Sequence, residues 1–265
     1  MAKRGTMEVS LIFPPAEIIQ KYYQGLIYLA ARTCYSEKTP QQIWDEFLSD
    51  KVPPERVLKL IEHVVDSGHH STIEHISFVF AISGVSRALS HQLVRHRIGV
   101  AFDQQSQRYV KYKEPLYVTP PSIEANEEAL KEFERFRDTS EEVYNRFLEA
   151  GIPAEDARFV FPNAVTTNLI MTVNLRQLIH MAGLRLCILA QWEIRQMFKL
   201  IRRELMQADP YFGKLLVPKC VPLGYCNEKR NEDEHCKIRP HRNSVFRVWE
   251  LYKQGKLREV SENEV

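Results

Sequence analysis

The sequence predicts an α+β fold, with a central, mostly antiparallel sheet flanked by helices. Three observations predict it. Segments with apolar residues at alternate positions are interspersed with longer segments at helical spacing. No glycine-rich turn leads from a strand candidate into a helix, so a doubly wound sheet lacks its usual connection. The chain has 265 residues and is 44% hydrophobic, enough to bury a sizeable core without disulfide staples.

The elements follow in order. Residues 9–13 read as a short strand, stopped by Pro14-Pro15, because proline cannot donate to a ladder. Residues 16–32 read as a helix. Two more helices are expected at 41–48 and 54–66, the second closed by Gly68. Residues 76–82 alternate apolar positions, Phe78 and Phe80 among them, and predict a strand. Residues 84–96 then read as helical. Residues 116–118 are a strand candidate closed by Pro120-Pro121. Residues 124–150 predict a long charged helix ending at Gly151. Its Leu130, Phe133, Phe136, Val143, Tyr144 and Phe147 fit helical spacing better than strand spacing. A short helix is expected at 154–160. Residues 164–173, rich in Thr and Val, predict a strand. Asn174, with Gln177 three places on, opens the next helix like a capping box. The last long helix covers 186–208, with Ile194, Met197, Phe198, Ile201 and Leu205 on one core-facing stripe.

Composition excludes several classes. The formal charge of +2 argues against a general nucleic-acid binder, which usually carries a strong basic excess. No apolar run is long enough to span a bilayer. The start, Met1-Ala2-Lys3-Arg4-Gly5, lacks the apolar core of a secretory signal. Five cysteines, an odd number, fit a reducing cytoplasm. After Pro218 the chain turns charged, so residues 218–265 are expected to form a cysteine-containing extension beyond a 1–217 domain.

Chemistry concentrates in three clusters. Arg95-His96-Arg97 and Arg108 fall within fourteen residues. Guanidinium groups pair with phosphate in two-pronged fashion, so an anionic ligand is one reading and a solvated basic face the other. On a helix through this region Gln92, Arg95 and His96 would share a face. The second cluster is His69, His70, Ser71, Thr72, Glu74 and His75. Its spacing lacks the zinc-protease patterns, which leaves a pocket-lining loop or helix capping by Ser71 and Thr72. The third is Asn174, Arg176, His180 and Arg185. Arg185 lies between Leu184 and Leu186, and a buried guanidinium needs a partner; Glu193 is favoured slightly over a ligand anion. There is no phosphate loop and no G-x-G-x-x-G. Cys34 and Cys187 sit among apolar residues and read as core. Cys220, Cys226, Cys236 and His241 could bind zinc or be free thiols, and their spacing lacks close C-x-x-C pairs.

Together these segments resemble the flavin-dependent thymidylate synthases. That family's signature is Arg-His-Arg, about seven residues, Ser, any residue, Arg. Here Arg95-His96-Arg97 is followed, one residue later than usual, by Ser106-Gln107-Arg108. Flanking pieces match in order: Ala31-Arg32, Gly68-His69 with Glu74-His75, Ala157-Arg158, Thr172-Val173-Asn174 with Arg176, Leu184-Arg185, and Ala190-Gln191-Trp192-Glu193-Ile194.

The resemblance implies reductive methylation of dUMP to dTMP by the 1–217 domain. It implies 5,10-methylenetetrahydrofolate as carbon donor, FAD with NADPH as hydride source, and a homotetramer with active sites shared between subunits. By resemblance Ser71, Arg95, His96, Arg97, Gln104, Asn174, Arg176 and His180 contact FAD. Gln92, Arg95, Gln104, Gln105, Ser106, Gln107, Arg108, Arg158 and Arg185 contact dUMP. Arg185 would polarise the uracil ring, and His69 would lie near flavin and folate. Ser106 resembles a nucleophile, but no base is evident beside it, so it is expected to position dUMP. No metal is expected in the active site. Gln104 stands where some members carry glutamate, Leu189 where some carry histidine, and His180 where others carry asparagine.

Overall fold

A computed structural model describes residues 5–112 and 114–228, together with Cys236 and Gln254. The elements begin with β1 (Glu8–Phe13). A helical run follows: α1 (Ala16–Ile18), a wider π turn (Ile19–Tyr23) and α2 (Gln24–Thr33). Next come α3 (Pro40–Leu48), α4 (Pro54–Asp66), a 3-10 turn (His70–His75), β2 (Ser77–Ser86), α5 (Arg87–Leu93) and β3 (Val100–Gln104). The chain continues through α6 (Pro121–Glu124), α7 (Glu127–Glu149), α8 (Ala154–Ala157) and a 3-10 turn (Arg158–Val160). It ends with β4 (Thr166–Asn174), α9 (Leu175–Arg185), α10 (Trp192–Ala208), α11 (Pro210–Leu215) and α12 (Cys220–Leu223). The long β2–α5–β3 and β4–α9–α10 passages carry the residues of interest.

The sheet has four strands in the order β1-β2-β4-β3, and every pairing is antiparallel. The α+β expectation therefore holds. One face of the sheet is the core: Phe78, Phe80 and Ile82 from β2 and Met171 and Val173 from β4 are fully buried. Against them lie Ile27, Leu178, Met181 and the α10 stripe Ile194, Met197, Phe198, Ile201 and Leu205, all inaccessible to solvent. That stripe is the one read from the sequence. The other face alternates outward, with Thr172 exposed and Ile170 42% exposed.

Several elements depart from the sequence reading. β2 runs on through Ser86, so the helix expected from residue 84 begins only at Arg87. Gly84 makes this possible. It sits at φ 68°, in a register shift between Ile82 and Val85, where a Cβ would meet Thr6 O at 2.0 Å. β3 was not foreseen. Residues 116–118 form only an isolated bridge, Tyr117 to Val165. The helix expected over 124–150 is broken at Asn126, whose side chain caps α7 by accepting from Ala129 N at 3.0 Å. Phe136 of α7 is 57% exposed rather than inward. The last long helix starts at Trp192, not 186, because Gln191 caps it by accepting from the N–H groups of Glu193 and Ile194.

Glu193 is the buried polar keystone of this core, at 2% exposure. Its carboxylate accepts from Ser86 N at 2.7 Å and Ser86 Oγ at 2.5 Å, while Ser86 Oγ in turn accepts from Leu89 N at 3.0 Å and caps α5. Burial, more than these bonds, sets the carboxyl pKa, which is raised. The Glu193–Arg185 salt bridge favoured by the sequence is not formed, because Ser86 takes both carboxylate oxygens. Removing the carboxylate strands two donors. Glu193→Ala should cost about 3 kcal/mol of stability, read as a lower urea midpoint, and Glu193→Gln should cost less; an unchanged midpoint in Glu193→Ala would refute this.

Candidate active site

The candidate residues lie around the end of α5, the turn into β3 and the two ends of α9. α5 starts from its Ser86 cap and ends at Leu93. The next residues leave the helix, so Gln92, Arg95 and His96 do not share a helical face. Arg95 and Arg97 point to solvent while His96 is buried, 7% exposed. Gly99, at φ 66°, then turns the chain into β3. Its O accepts from Asn174 N at 2.9 Å, and a Cβ there would lie 2.6 Å from Asn174 Nδ2. Asn174 also caps α9 through Gln177 N at 2.9 Å, as the sequence suggested.

At the far end of α9, Arg185 Nε donates to His96 Nε2 at 3.1 Å and Nη2 donates to Gln92 O at 3.2 Å. Both acceptors are neutral. Among the described residues Arg185 forms no carboxylate pair, and burial lowers its pKa. His180 stands edge-on to His96, with ring centroids 6.2 Å apart. Burial first, then the charges of Arg185 and His180, push the His96 pKa down to about 4. Neutral imidazole is therefore the resting form, and only that form offers Nε2 as an acceptor.

A second group forms beyond β3. Arg108 N donates to Ser106 Oγ at 3.1 Å. Arg108 Nε pairs with the Glu155 carboxylate at 2.5 Å, and Arg158 Nε donates to Glu155 O at 2.9 Å. Glu155 thus brings Arg108 and Arg158 together, while Arg185 belongs to the His96 group. Gln104 and Gln105, at the end of β3, are held on β4. Gln104 Nε2 donates to Thr167 Oγ1 at 3.1 Å and Gln105 Oε1 accepts from Asn168 Nδ2 at 3.1 Å. Gln107 Nε2 is buried and has no hydrogen-bond partner among the described residues.

The third group lies at the start of α9. Arg176 is ion-paired with Glu74. Thr72 Oγ1 donates to His69 O at 3.0 Å, and His70 Nε2 contacts Val65 O at 3.1 Å. His69, Ser71 and His180 are exposed. Sequence reasoning missed Arg87, whose Nη2 donates to Gln105 O at 2.8 Å, and missed Asn168 and Glu155. A lone Asn in a Thr/Val strand was the one available signal for Asn168.

Fold and site together define an α+β enzyme with a cationic site built at the sheet's edge strand and the adjacent helix ends. The chain belongs to the flavin-dependent thymidylate synthase family: the family model described as thymidylate synthase complementing protein matches residues 17–211. The flavin-dependent thymidylate synthase of Nitratidesulfovibrio vulgaris is 42% identical over 233 residues, covering 83% of this chain and 92% of that one. Those of Geobacter sulfurreducens and Pyrococcus horikoshii are 40% and 41% identical, over 77% and 70% of this chain and 86% and 79% of theirs. The fold is shared with a UMP/dUMP methylase, PolB from Streptomyces cacaoi, solved with 5-Br dUMP. The TM-score is 0.68 at 20% identity, over 81% of this chain and 96% of that one.

The depressed His96 pKa has a stability consequence. The unfolded chain takes up a proton near the usual pKa of 6.5, whereas the folded chain does so only near 4. Stability from this group is complete above the first value and lost as pH falls toward the second. His96→Gln should flatten the decline in urea midpoint across that window; an identical decline in both proteins would exclude His96 as its source.

Proposed function

We propose that this chain converts dUMP to dTMP by reductive methylation, with 5,10-methylenetetrahydrofolate as carbon donor and NADPH as reductant. The observation that carries the reading is Arg185, a partly buried cation whose hydrogen-bond partners among the described residues are neutral. Uracil C5 is a weak carbon nucleophile. It strengthens when negative charge on the ring is stabilised, and a fixed guanidinium beside N3 and its carbonyl provides that without transferring a proton. Neutral His96 supports the same role. It orients the Arg185 fork without cancelling its charge.

Arg108 and Arg158 suit the phosphate. Glu155 holds the Arg108 guanidinium until an anion replaces it. Gln107 Nε2, buried and without a partner among the described residues, is a donor suited to a substrate oxygen. Ser106 Oγ already accepts from Arg108 N, which fits a residue that shapes the turn around dUMP rather than a nucleophile. Gln92, Arg95, Gln104 and Gln105 complete the proposed nucleotide contacts.

The donors also fit a flavin. Exposed Arg95 and Arg97 suit its diphosphate, with Ser71, His96, Gln104, Asn174, Arg176 and His180 as the other proposed contacts and His69 beside flavin and folate. Bound FAD supplies the hydride chemistry, and the chain's part is to hold rings in register and exclude water. The open sheet face favours a homotetramer with shared sites. Among the described residues no helix is long and apolar enough to cross a membrane, and a cytoplasmic setting suits free thiols.

The decisive assay is NADPH oxidation dependent on both dUMP and the folate, with the product identified. dTMP is expected, and NADPH oxidation without dTMP overturns the reading. Arg185→Ala should keep its flavin and lose turnover by roughly a hundredfold or more; a near-normal kcat would exclude the charge-stabilising role. Ser106→Ala should raise the KM for dUMP more than it lowers kcat. Abolished turnover with intact dUMP affinity would point instead to a nucleophile.

A further inference from the structure

The cysteines read from the sequence as possible zinc ligands give no such site: among the described residues no three donors gather to hold a metal, and His241 lies outside them. A different arrangement stands out. Two residues beyond the proposed contacts, Arg87 and Asn168, hold Gln105 from three sides. Arg87 Nη2 donates to Gln105 O at 2.8 Å. Gln105 N donates to Asn168 O at 2.9 Å, one step past the Gln104–Leu169 pair that ends the β3–β4 ladder. Asn168 Nδ2 donates to Gln105 Oε1 at 3.1 Å. The sense of this last bond is set from its other end. Asn168 Oδ1 accepts from Gly84 N at 3.2 Å, in the register shift of β2 between Ile82 and Val85. A main-chain N–H can only donate, so Asn168 must turn its amide nitrogen toward Gln105.

Arg87 is an unfavourable choice for stability alone. It is the first residue of α5, where a cation opposes the helix dipole. It is half-buried, and among the described residues it forms no carboxylate pair. Its Nε is buried without a hydrogen-bond partner there, and an uncompensated buried guanidinium is destabilising. Yet its base is firmly fixed: Arg87 N donates to Val165 O and Ala88 N to Asn163 O, both at 3.1 Å. What Arg87 holds is the start of a tight turn. Ser106 Oγ accepts from Arg108 N and Ser106 O accepts from Val110 N, both at 3.1 Å. Gln105 is therefore the fixed point from which Ser106, Gln107 and Arg108 hang.

We propose that Arg87 and Asn168 are positioning residues for nucleotide binding: by fixing Gln105 they set the turn that presents Ser106, Gln107 and Arg108 to the phosphate. The inference rests on the dUMP reading above and adds the residues that make its phosphate turn rigid. Both act through Gln105, and neither needs to touch the nucleotide. A turn already ordered in the free protein loses little freedom when its ligand arrives, and the difference is realised as affinity. Arg87 holds the main chain, and Asn168 holds both main chain and side chain. Arg87 is therefore the stronger of the two, because its bond to Gln105 O is charge-assisted.

The test uses the full chain with its flavin and reads the dissociation constant for dUMP by calorimetry, without turnover. Arg87→Met should weaken dUMP about tenfold and raise its KM more than it lowers kcat. Arg87→Lys, which restores a charged donor, should recover part of the loss. Because Arg87→Met could misfold, the exposed Asn168 supplies a second variant, and Asn168→Ala should weaken dUMP about threefold. Arg135→Met removes the same charge from an exposed site on α7 and should leave dUMP binding as it was. Wild-type affinity in either folded variant overturns the inference while the nucleotide reading stands. An equal loss in Arg135→Met overturns it too, since net charge alone would then explain the effect. So does flavin lost in parallel with dUMP, which would mark a general loosening of the fold. A wild-type chain that binds no dUMP overturns the nucleotide reading itself, and this inference with it.

Discussion

The pairing of β4 with both β2 and β3 is the constraint on which the site depends. β4 is paired on both sides, and its register places Gln104 opposite Leu169 and Val100 opposite Val173. A slip of one residue would turn Met171 and Val173 outward and lift the whole apolar set from the core. The same slip would part Gly99 from Asn174. That contact closes the Arg95–Arg97 turn and caps α9 at once, so core packing and arginine placement are one problem with one solution.

Much of the fold was legible because its burial follows simple periods. α4 was read to the residue at Pro54–Asp66, since its caps and apolar spacing agree. β2 gave a period-2 signal because Phe78, Phe80 and Ile82 face the core, and β4 was read from its Thr and Val content. β3 gave none. It has five residues, sits at an edge, and buries no residue fully. The segment 84–96 misled because Val85, Leu89 and Leu93 are all buried and spaced four apart, as on a helix, although the first lies in a strand. The start assigned at 186 misled for the converse reason. Leu186, Ile188 and Leu189 are apolar, but they form a partly exposed loop.

The residues of the candidate site were legible as types and as a family pattern, and less so as partners. Arg185 was recognised as a cation in need of company, but its company is an imidazole and a carbonyl rather than the nearest acid in sequence. Proximity along the chain favoured Glu193. The structure commits that acid to Ser86, where the end of β2 needs an acceptor more than Arg185 does. An internal acid beside Arg185 would have neutralised its charge. Glu155 shows the opposite arrangement, an acid on the surface paired with an exposed arginine, Arg108.

The π turn at Ile19–Tyr23 has its own consequence. Ile19, Tyr23, Ile27 and Ala31 are all buried and stand four residues apart. In a regular α-helix each such step drifts by about 40° around the axis, so a stripe of this length would wander off the core. The widened turn absorbs part of that drift, as though a single extra residue had been threaded into an older, shorter helix. Deleting one residue within 19–23 would thus restore an ordinary helix at little local cost. The segments on either side would keep their present phase, because the widened turn already contains the extra residue.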